Sequence, residues 1–561
     1  MECSCCFSGL HAAGPLLRRR RTSSCDKAPG DGGVRAKVRE RIEMGKQSAS
    51  ISDIRSMLLR SSSDRPIDAC YEFFGRLGHG GFGSVFRARS LQTGEERAVK
   101  EIPLSGIQDD MDFVHAELEA LIRLNHPNVV KLYEFFEGAQ VLYLVTEICT
   151  EGDFSALNNG INDPLEITLL FRDLMLAVAY CHDHGIAHRD LKFSNCLLQK
   201  APGLRRVTKV IDFGLAAIRR PEDEADGWLS ELLGSELFVA PEVIEGDRHY
   251  GVKCDCWSVG VMLYVVLTQE HPFAADEAAS EPRKLFRAIV KGRMRKRPLD
   301  VSVVDGAARD LILKLLVKDP EARLDARSVL DHDWLRPALD RATWRSSSQA
   351  DMNELSLWTF SALRKQHPLT KQMLSRMLAF PNYTRFERAL LTLVAHYAKS
   401  KDVEDLRSAF EELNTSKSGS LSKEEIQEGI KTCGFQLRDE EVDDIFKSLD
   451  AERTGKIHYT KWLSATVRPS LLSSAKMMDQ VYTFFDPAQN GKASKDELCQ
   501  LLGCDATVDE CPNETEFKAL MNQVAKNLES QCRNAYVGAD IESEDECIHD
   551  DGVRAWLGMC G

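Results

Sequence analysis

Lys100, Asp190, Asn195 and Asp212 stand in an order, and in local contexts, that suit phosphoryl transfer from ATP. That reaction asks little covalent help of a protein. It needs phosphates held in line, magnesium held by hard oxygen ligands and one hydroxyl oriented. The stretch from Leu77 to Glu242 offers a part for each task. Gly78, Gly80 and Gly83, spaced G-x-G-x-x-G and followed by Val85, let backbone N–H groups approach phosphates closely because no Cβ intervenes. Apolar residues on both sides predict a strand–loop–strand rather than the strand-to-helix turn of a dinucleotide site.

The elements that must position these groups follow. Ala98-Val99-Lys100 ends a short apolar strand, which sets the Lys100 ammonium behind the loop, facing the α- and β-phosphates. Lys100 needs a carboxylate to hold it. Glu117 lies in a segment, 113–122, with helical apolar spacing; Glu119 is the rival, and the distance to Asn125-His126-Pro127 favours Glu117. His188-Arg189-Asp190-Leu191-Lys192-Phe193-Ser194-Asn195 then supplies a base, a cation and a metal ligand within one loop. Val210-Ile211-Asp212-Phe213-Gly214 supplies the second metal ligand, and Ala240-Pro241-Glu242 closes the segment.

From about Tyr71 to Leu335 the chain resembles the eukaryotic protein kinases, and Asp255-Cys256-Trp257-Ser258-Val259-Gly260 and Arg323 agree. The resemblance implies that Asp190 orients the substrate hydroxyl and that Lys192 neutralises charge on the moving group. It implies that Asn195 and Asp212 hold magnesium. It places ATP against Gly78, His79, Gly80, Gly81, Phe82, Gly83, Val85, Ala98 and Lys100. Thr146 would guard the pocket behind the adenine, Glu147 and Cys149 would present backbone groups, and Asp153 would meet the ribose. Lys192 and Gly234-Ser235 favour serine/threonine substrates. Arg189 beside Asp190 is the usual sign of an activation loop ordered by phosphate. Three residues before Gly234 stands Glu231, whose carboxylate could take that place permanently, though the loop is acidic anyway.

Composition sets outer bounds. The 561 residues suffice for two or three domains. A net charge of −14 argues against nucleic acid as the main partner. The 17 cysteines are odd in number and lack paired metal spacing, which implies a reducing, cytoplasmic setting. No apolar run approaches a membrane span. A Ser/Arg-rich segment, 1–66, is expected to be largely unfolded. Glu2 excludes N-myristoylation. Cys3, Cys5 and Cys6 before Arg18-Arg19-Arg20-Arg21 admit an S-acylated membrane anchor, a transit peptide, or a tail with no address.

Beyond Leu335 the chain becomes helical and repetitive. Loops 414–425, 450–461 and 486–497 share an EF-hand frame, with Gly at six, an apolar or small residue at eight and a terminal position recurring every 36 residues. Ligands are thin. The first loop offers Asn414, Ser416, Ser418 and Glu425; the second has Lys461 at twelve; the third offers Asp486, Asn490, Ser494 and Glu497 but has Ala488 at three. A fourth unit begins at Phe517 and is only a remnant by Asp545.

A kinase followed by a helical junction and four such units resembles the calcium-dependent protein kinase family. The expected fold is α+β: a bilobal kinase domain over 71–335, junction helices over 336–402, and an all-α EF-hand-like domain of two paired lobes, 403–465 and 466–561. The resemblance implies ATP, Mg2+ and Ca2+ as cofactors. It also implies a junction helix that occupies the substrate groove until the EF-hands capture it. The candidate runs from Met373 through Phe380 and Phe386 to Leu391, with Arg376 and Arg385. A monomer is expected. Three readings compete: a serine/threonine kinase under weak or partial calcium control; a kinase whose EF-hand-like lobes are a metal-independent scaffold; and a calcium-sensing binding protein with a silent kinase fold. The intact Lys100, Asp190, Asn195 and Asp212 weigh against the last.

Overall fold

The computed structural model describes residues 66–335 and 369–537, less 81–82, 105–110, 139, 159–162, 201–205, 221–228, 230–232, 247–249, 275–281, 296–298, 300–303, 400–401, 451–452 and 487–512. Its first part is a curled antiparallel sheet. The strands are β1 (Tyr71–Gly80), β2 (Gly83–Ser90) and β3 (Glu96–Pro103), then β4 (Leu132–Glu137) and β5 (Val141–Thr146), in the spatial order β1-β2-β3-β5-β4. Helix α1 (Met111–Arg123) lies between β3 and β4 in sequence and turns Val114, Leu118 and Leu121 into the core. The β3–β5 register pairs Ala98 with Thr146 and Lys100 with Leu144, so the phosphate-side lysine and the residue guarding the adenine lie on adjacent strands.

The second part is mostly helical. Helix α2 (Pro164–Asp183) starts from Asp163, whose carboxylate accepts from the Leu165 N–H, with Pro164 in the first turn where a missing N–H costs nothing. Short strands β6 (Ile186–Ala187), β7 (Cys196–Lys200), β8 (Arg206–Val210) and β9 (Ala217–Ile218) carry the loops of the site. They are followed by α3 (Pro241–Glu245), α4 (Lys253–Thr268), α5 (Pro282–Val290), α6 (Gly306–Leu315) and α7 (Ala326–Leu330). Helix α4 is buried from Cys254 to Val266, and its Trp257 stacks on Phe273. An apolar-all-round helix of this kind must sit at a domain centre.

The C-terminal part is built from α8 (Lys371–Ala379), α9 (Arg385–Tyr397), α10 (Glu404–Leu413), β10 (Ser420–Leu421), α11 (Lys423–Thr432), α12 (Asp439–Leu449), β11 (Ile457–His458), α13 (Tyr459–Thr466), α14 (Ala475–Phe485) and α15 (Glu514–Val537). Strands β10 and β11 pair Leu421 with Ile457, the apolar eighth positions of the first two loops. The α+β expectation, a two-part kinase fold followed by a helical EF-hand region, holds.

The junction candidate from Met373 to Leu391 forms two helices, not one. Pro381 interrupts it, a 3-10 turn spans Phe380–Asn382, and Thr384 restarts the helix with a capping box closed by Glu387. Helices α8 and α9 bury Met373, Leu374, Met377, Leu390 and Val394 in one core with Trp462, Val481, Phe485 and Phe517. Among the described residues no helix is long and apolar enough to cross a membrane.

Candidate active site

Lys100 is the hub of the site. It is largely buried at the end of β3 and donates to Glu117 at 2.5 Å and to Asp212 at 2.7 Å. Burial opposes the charged ammonium, but the two carboxylates outweigh it and hold its pKa above the ordinary lysine range. Burial likewise opposes the Asp212 carboxylate, yet the Lys100 charge brings it down to about 2. Both groups therefore stay ionised. Glu119 points elsewhere, to Arg123 and Arg220, so Glu117 is the acid that meets Lys100.

The phosphate loop is the turn of the β1–β2 hairpin, with Gly80 opposite Gly83. A Cβ on Gly83 would lie 1.8 Å from the Glu101 carbonyl, so only glycine lets β2 pass that close to β3. A Cβ on Gly78 would meet nothing within 4 Å. His79 reaches Ser84 at 3.3 Å. Gly81 and Phe82 lie outside the described residues.

At the adenine end, the Glu147 N–H is bonded to the Lys131 carbonyl at 3.0 Å. Its carboxylate accepts from the Lys131 N–H and from Lys209 Nζ, both at 2.8 Å. The side chain is thus spent on the scaffold, and the carbonyl is what Glu147 has for a base. Burial raises the Cys149 thiol to about 12, so it is a neutral neighbour of the hinge. Asp153 turns its carboxylate on the Ser155 N–H at 2.7 Å.

The catalytic loop is held from behind. Buried Asp255 accepts from the backbone N–H groups of His188 and Arg189 at 2.9 and 2.8 Å, and pairs with His182 at 2.9 Å. Burial works against that carboxylate; the His182 bond lowers it again. Arg189 and Asp212 both adopt left-handed backbone, at φ 66° and 61°. Such conformations in non-glycine residues persist only where surroundings over-determine them. In front, Asp190 accepts from Lys192 and from the Ser235 hydroxyl, each at 2.7 Å. Asn195 donates its amide to the Asp190 carbonyl at 2.8 Å, which leaves its amide oxygen, with the Asp212 carboxylate, as hard donors of the kind magnesium takes. The residues fit the ion.

Sequence reasoning named Lys100, Glu117, Asp190, Lys192, Asn195 and Asp212, and the structure brings all six together. It missed the Ser235 hydroxyl on Asp190 and the His182 support of Asp255; no local spacing signals either contact. Arg189 Nε donates to the Leu215 carbonyl at 2.7 Å, and Glu231 lies outside the described residues.

The metal loops of the C-terminal part read differently from their frame. Glu425 caps its own helix, α11: one oxygen accepts from the Ser422 N–H at 2.8 Å and the other from the Ser416 N–H at 2.8 Å. Asn414 Oδ1 accepts from the Ser418 N–H at 3.0 Å. In the second loop Asp450 accepts from the N–H groups of Thr454 and Gly455. Among the described residues no group of three or more His, Cys, Asp or Glu side chains could hold a metal ion. Asp486 is buried, and Asn490, Ser494 and Glu497 lie outside the described residues.

A two-part fold that closes on a joined Lys–Glu–Asp triad in front of a buried Asp–Asn loop is that of a protein kinase, and residues 71–335 match the protein kinase domain family. Residues 403–465 match the EF-hand domain pair family. The chain is 28% identical to calcium-dependent protein kinase 20 of Oryza sativa subsp. japonica over 469 residues, 83% of this chain and 79% of that protein. It is 27% identical to calcium-dependent protein kinase 4 of Plasmodium falciparum (isolate 3D7) over 519 residues, 88% and 92% of the two chains. With calcium-dependent protein kinase 12 of Arabidopsis thaliana it shares 29% over 429 residues, 76% and 81%. A protein kinase domain followed by an EF-hand pair gives it the domain content and order of the calcium-dependent protein kinases it resembles. It is a serine/threonine protein kinase, with ATP and Mg2+ as cofactors and protein serines and threonines as acceptors; Ca2+ is the ion of its EF-hand fold.

Proposed function

We propose that this kinase is switched by where its junction helices lie, with calcium adjusting the balance weakly. The supporting observation is that α8 and α9 pack in the EF-hand-like core while Lys100, Glu117 and Asp212 are already joined. Burial of Met373, Leu374 and Met377 there leaves them unavailable to a substrate groove. A ligand moves such an equilibrium only by its differential affinity for the two arrangements, and loops poor in carboxylates supply little. Calcium therefore acts chiefly through the loop from Asp486 to Glu497.

On the same reading Glu231 pairs with Arg189, so the activation loop needs no upstream kinase. Lys192, Asp190 and Ser235 orient the acceptor hydroxyl. The protein works as a cytoplasmic monomer, brought to membranes by S-acylation of Cys3, Cys5 and Cys6. One assay tests the core of this: peptide phosphorylation by phosphatase-treated protein, with chelator and with calcium. The expected result is activity in both, raised a few-fold by calcium. Activity confined to calcium, or lost with the phosphatase, overturns it.

A further inference from the structure

The first EF-hand loop, 414–425, is built into the face of the kinase. Lys417, at its fourth position, donates to the Leu330 carbonyl at 2.7 Å and pairs with Asp331 at 2.9 Å, both at the end of α7. Arg327 of α7 donates to the Ser416 carbonyl at 2.9 Å. A Cβ on Gly419 would lie 2.3 Å from the Tyr180 ring and 2.9 Å from the His126 ring. At φ 71° that position already demands glycine for the turn; here it also demands it for close approach.

The turn of the second loop gives the contrast, although the end of that loop also meets the kinase, Thr460 donating to Asn125 at 2.8 Å and His458 lying near His184. Gly455, the equivalent glycine, has nothing within 4 Å of a Cβ, and Arg453, Thr454, Gly455 and Lys456 are exposed. Asn414, Ser418 and Ser420 are buried. Both loops keep the frame, with Lys417 and Arg453 left-handed at φ 56°, so the frame alone does not explain the burial.

Inside the first loop the ligand positions are occupied by one another. Glu425 is held by the N–H groups of Ser416 and Ser422, and the Ser418 hydroxyl donates to the Ser420 carbonyl at 2.7 Å. A divalent ion would find one carboxylate there, against the several of a working site.

We infer that the first EF-hand loop is not an ion site but a calcium-independent fastening, through which the C-terminal region grips the large lobe beside α2 and α7. The inference rests on the kinase reading only in naming what is gripped. A second foot lies on the small lobe: His396 of α9 bonds the Tyr133 carbonyl at 3.2 Å, and Lys399 pairs with Glu95 at 2.7 Å. In this arrangement the two feet together set the sheet part of the kinase against its helical part.

Hydrogen exchange on the full chain, in chelator and in calcium, tests this. Amides of 414–421 and of 180–184 should be equally protected in both; protection that appears only with calcium overturns the proposal. Gly419→Val, and separately the pair Lys417→Glu with Arg327→Glu, should speed exchange on both faces roughly tenfold or more. Gly455→Val should leave 180–184 unchanged. If neither disrupting variant moves the kinase-side amides, the loop is not a fastening. Glu425→Gln keeps the helix cap and should leave calcium heat unchanged in titration; a loss of an ion overturns the assignment. The Asp190→Asn protein should show wild-type protection, which separates this result from any failure of catalysis.

Discussion

Arg323 and Glu242 are joined by two parallel hydrogen bonds, of 2.6 and 2.9 Å, with the guanidinium wholly buried. The same guanidinium donates to the backbone carbonyls of Val317 and Lys253 and lies 5.1 Å from the Trp257 ring centroid. It ties the end of the activation segment to α4. Removing one partner of such a pair leaves a buried charge uncompensated, at a cost of roughly 3–5 kcal/mol. Arg323→Met and Glu242→Gln should each lower the thermal unfolding midpoint by several degrees. A midpoint within a degree of wild type in both would show that the pair is dispensable.

Catalysis should fail without the hub while the fold stays. Lys100→Met removes the group that holds Asp212 ionised and Glu117 in place, and Asp190→Asn removes the acceptor for the substrate proton. Turnover should fall by roughly two to four orders of magnitude in each. Circular dichroism and gel filtration should match wild type, and unchanged turnover in both would defeat the assignment.

Acid should loosen the protein through two histidines. Burial lowers His126 to about 3 and His271 to about 4. Glu411 favours the His126 cation while Arg407, Lys209 and His184 oppose it. Both rings are neutral when folded, whereas in the unfolded chain they take a proton below about 6.5. Their contribution is therefore intact above that pH and is lost as the pH falls towards 4. At pH 5 each should cost about 2 kcal/mol. Urea midpoints at pH 5 and 7.5 should differ, and His126→Gln with His271→Gln should narrow the difference.

Calcium binding should be sparse. Lys461 stands where a bidentate acid belongs, and Glu425 is committed to its own helix. Titration of the full chain should show one weak site, weaker than the sensor range of roughly 10⁻⁷–10⁻⁵ M. Glu497→Gln should remove it and Lys461→Glu should add heat. Four tight sites would show that ligand types are a poor guide in these loops.

Most of the kinase site is legible in the sequence because each chemical part sits in a short contiguous motif. Lys100, Asp190, Asn195 and Asp212 each announce themselves by neighbours two or three residues away. The EF-hand frames are legible for the same reason, since glycine at six and an apolar eight are local demands. What the sequence hides is long-range. Tyr180 and Gly419 are far apart in the chain, and nothing in loop 414–425 says that its glycine faces a tyrosine ring. The break at Pro381 is legible as a proline, but the apolar spacing that continues across it masks the break.

The cover over Tyr180 and His126 has a consequence for biosynthesis. The catalytic segment ends at Leu335, and the glycine that seats on its face comes 84 residues later. At roughly 5–20 residues per second, the finished kinase waits about 4–17 s on the ribosome with that face bare. Chaperones that recognise exposed rings have their opportunity in that interval. A recombinant fragment cut at residue 335 never leaves it, and its yield of soluble protein should suffer accordingly.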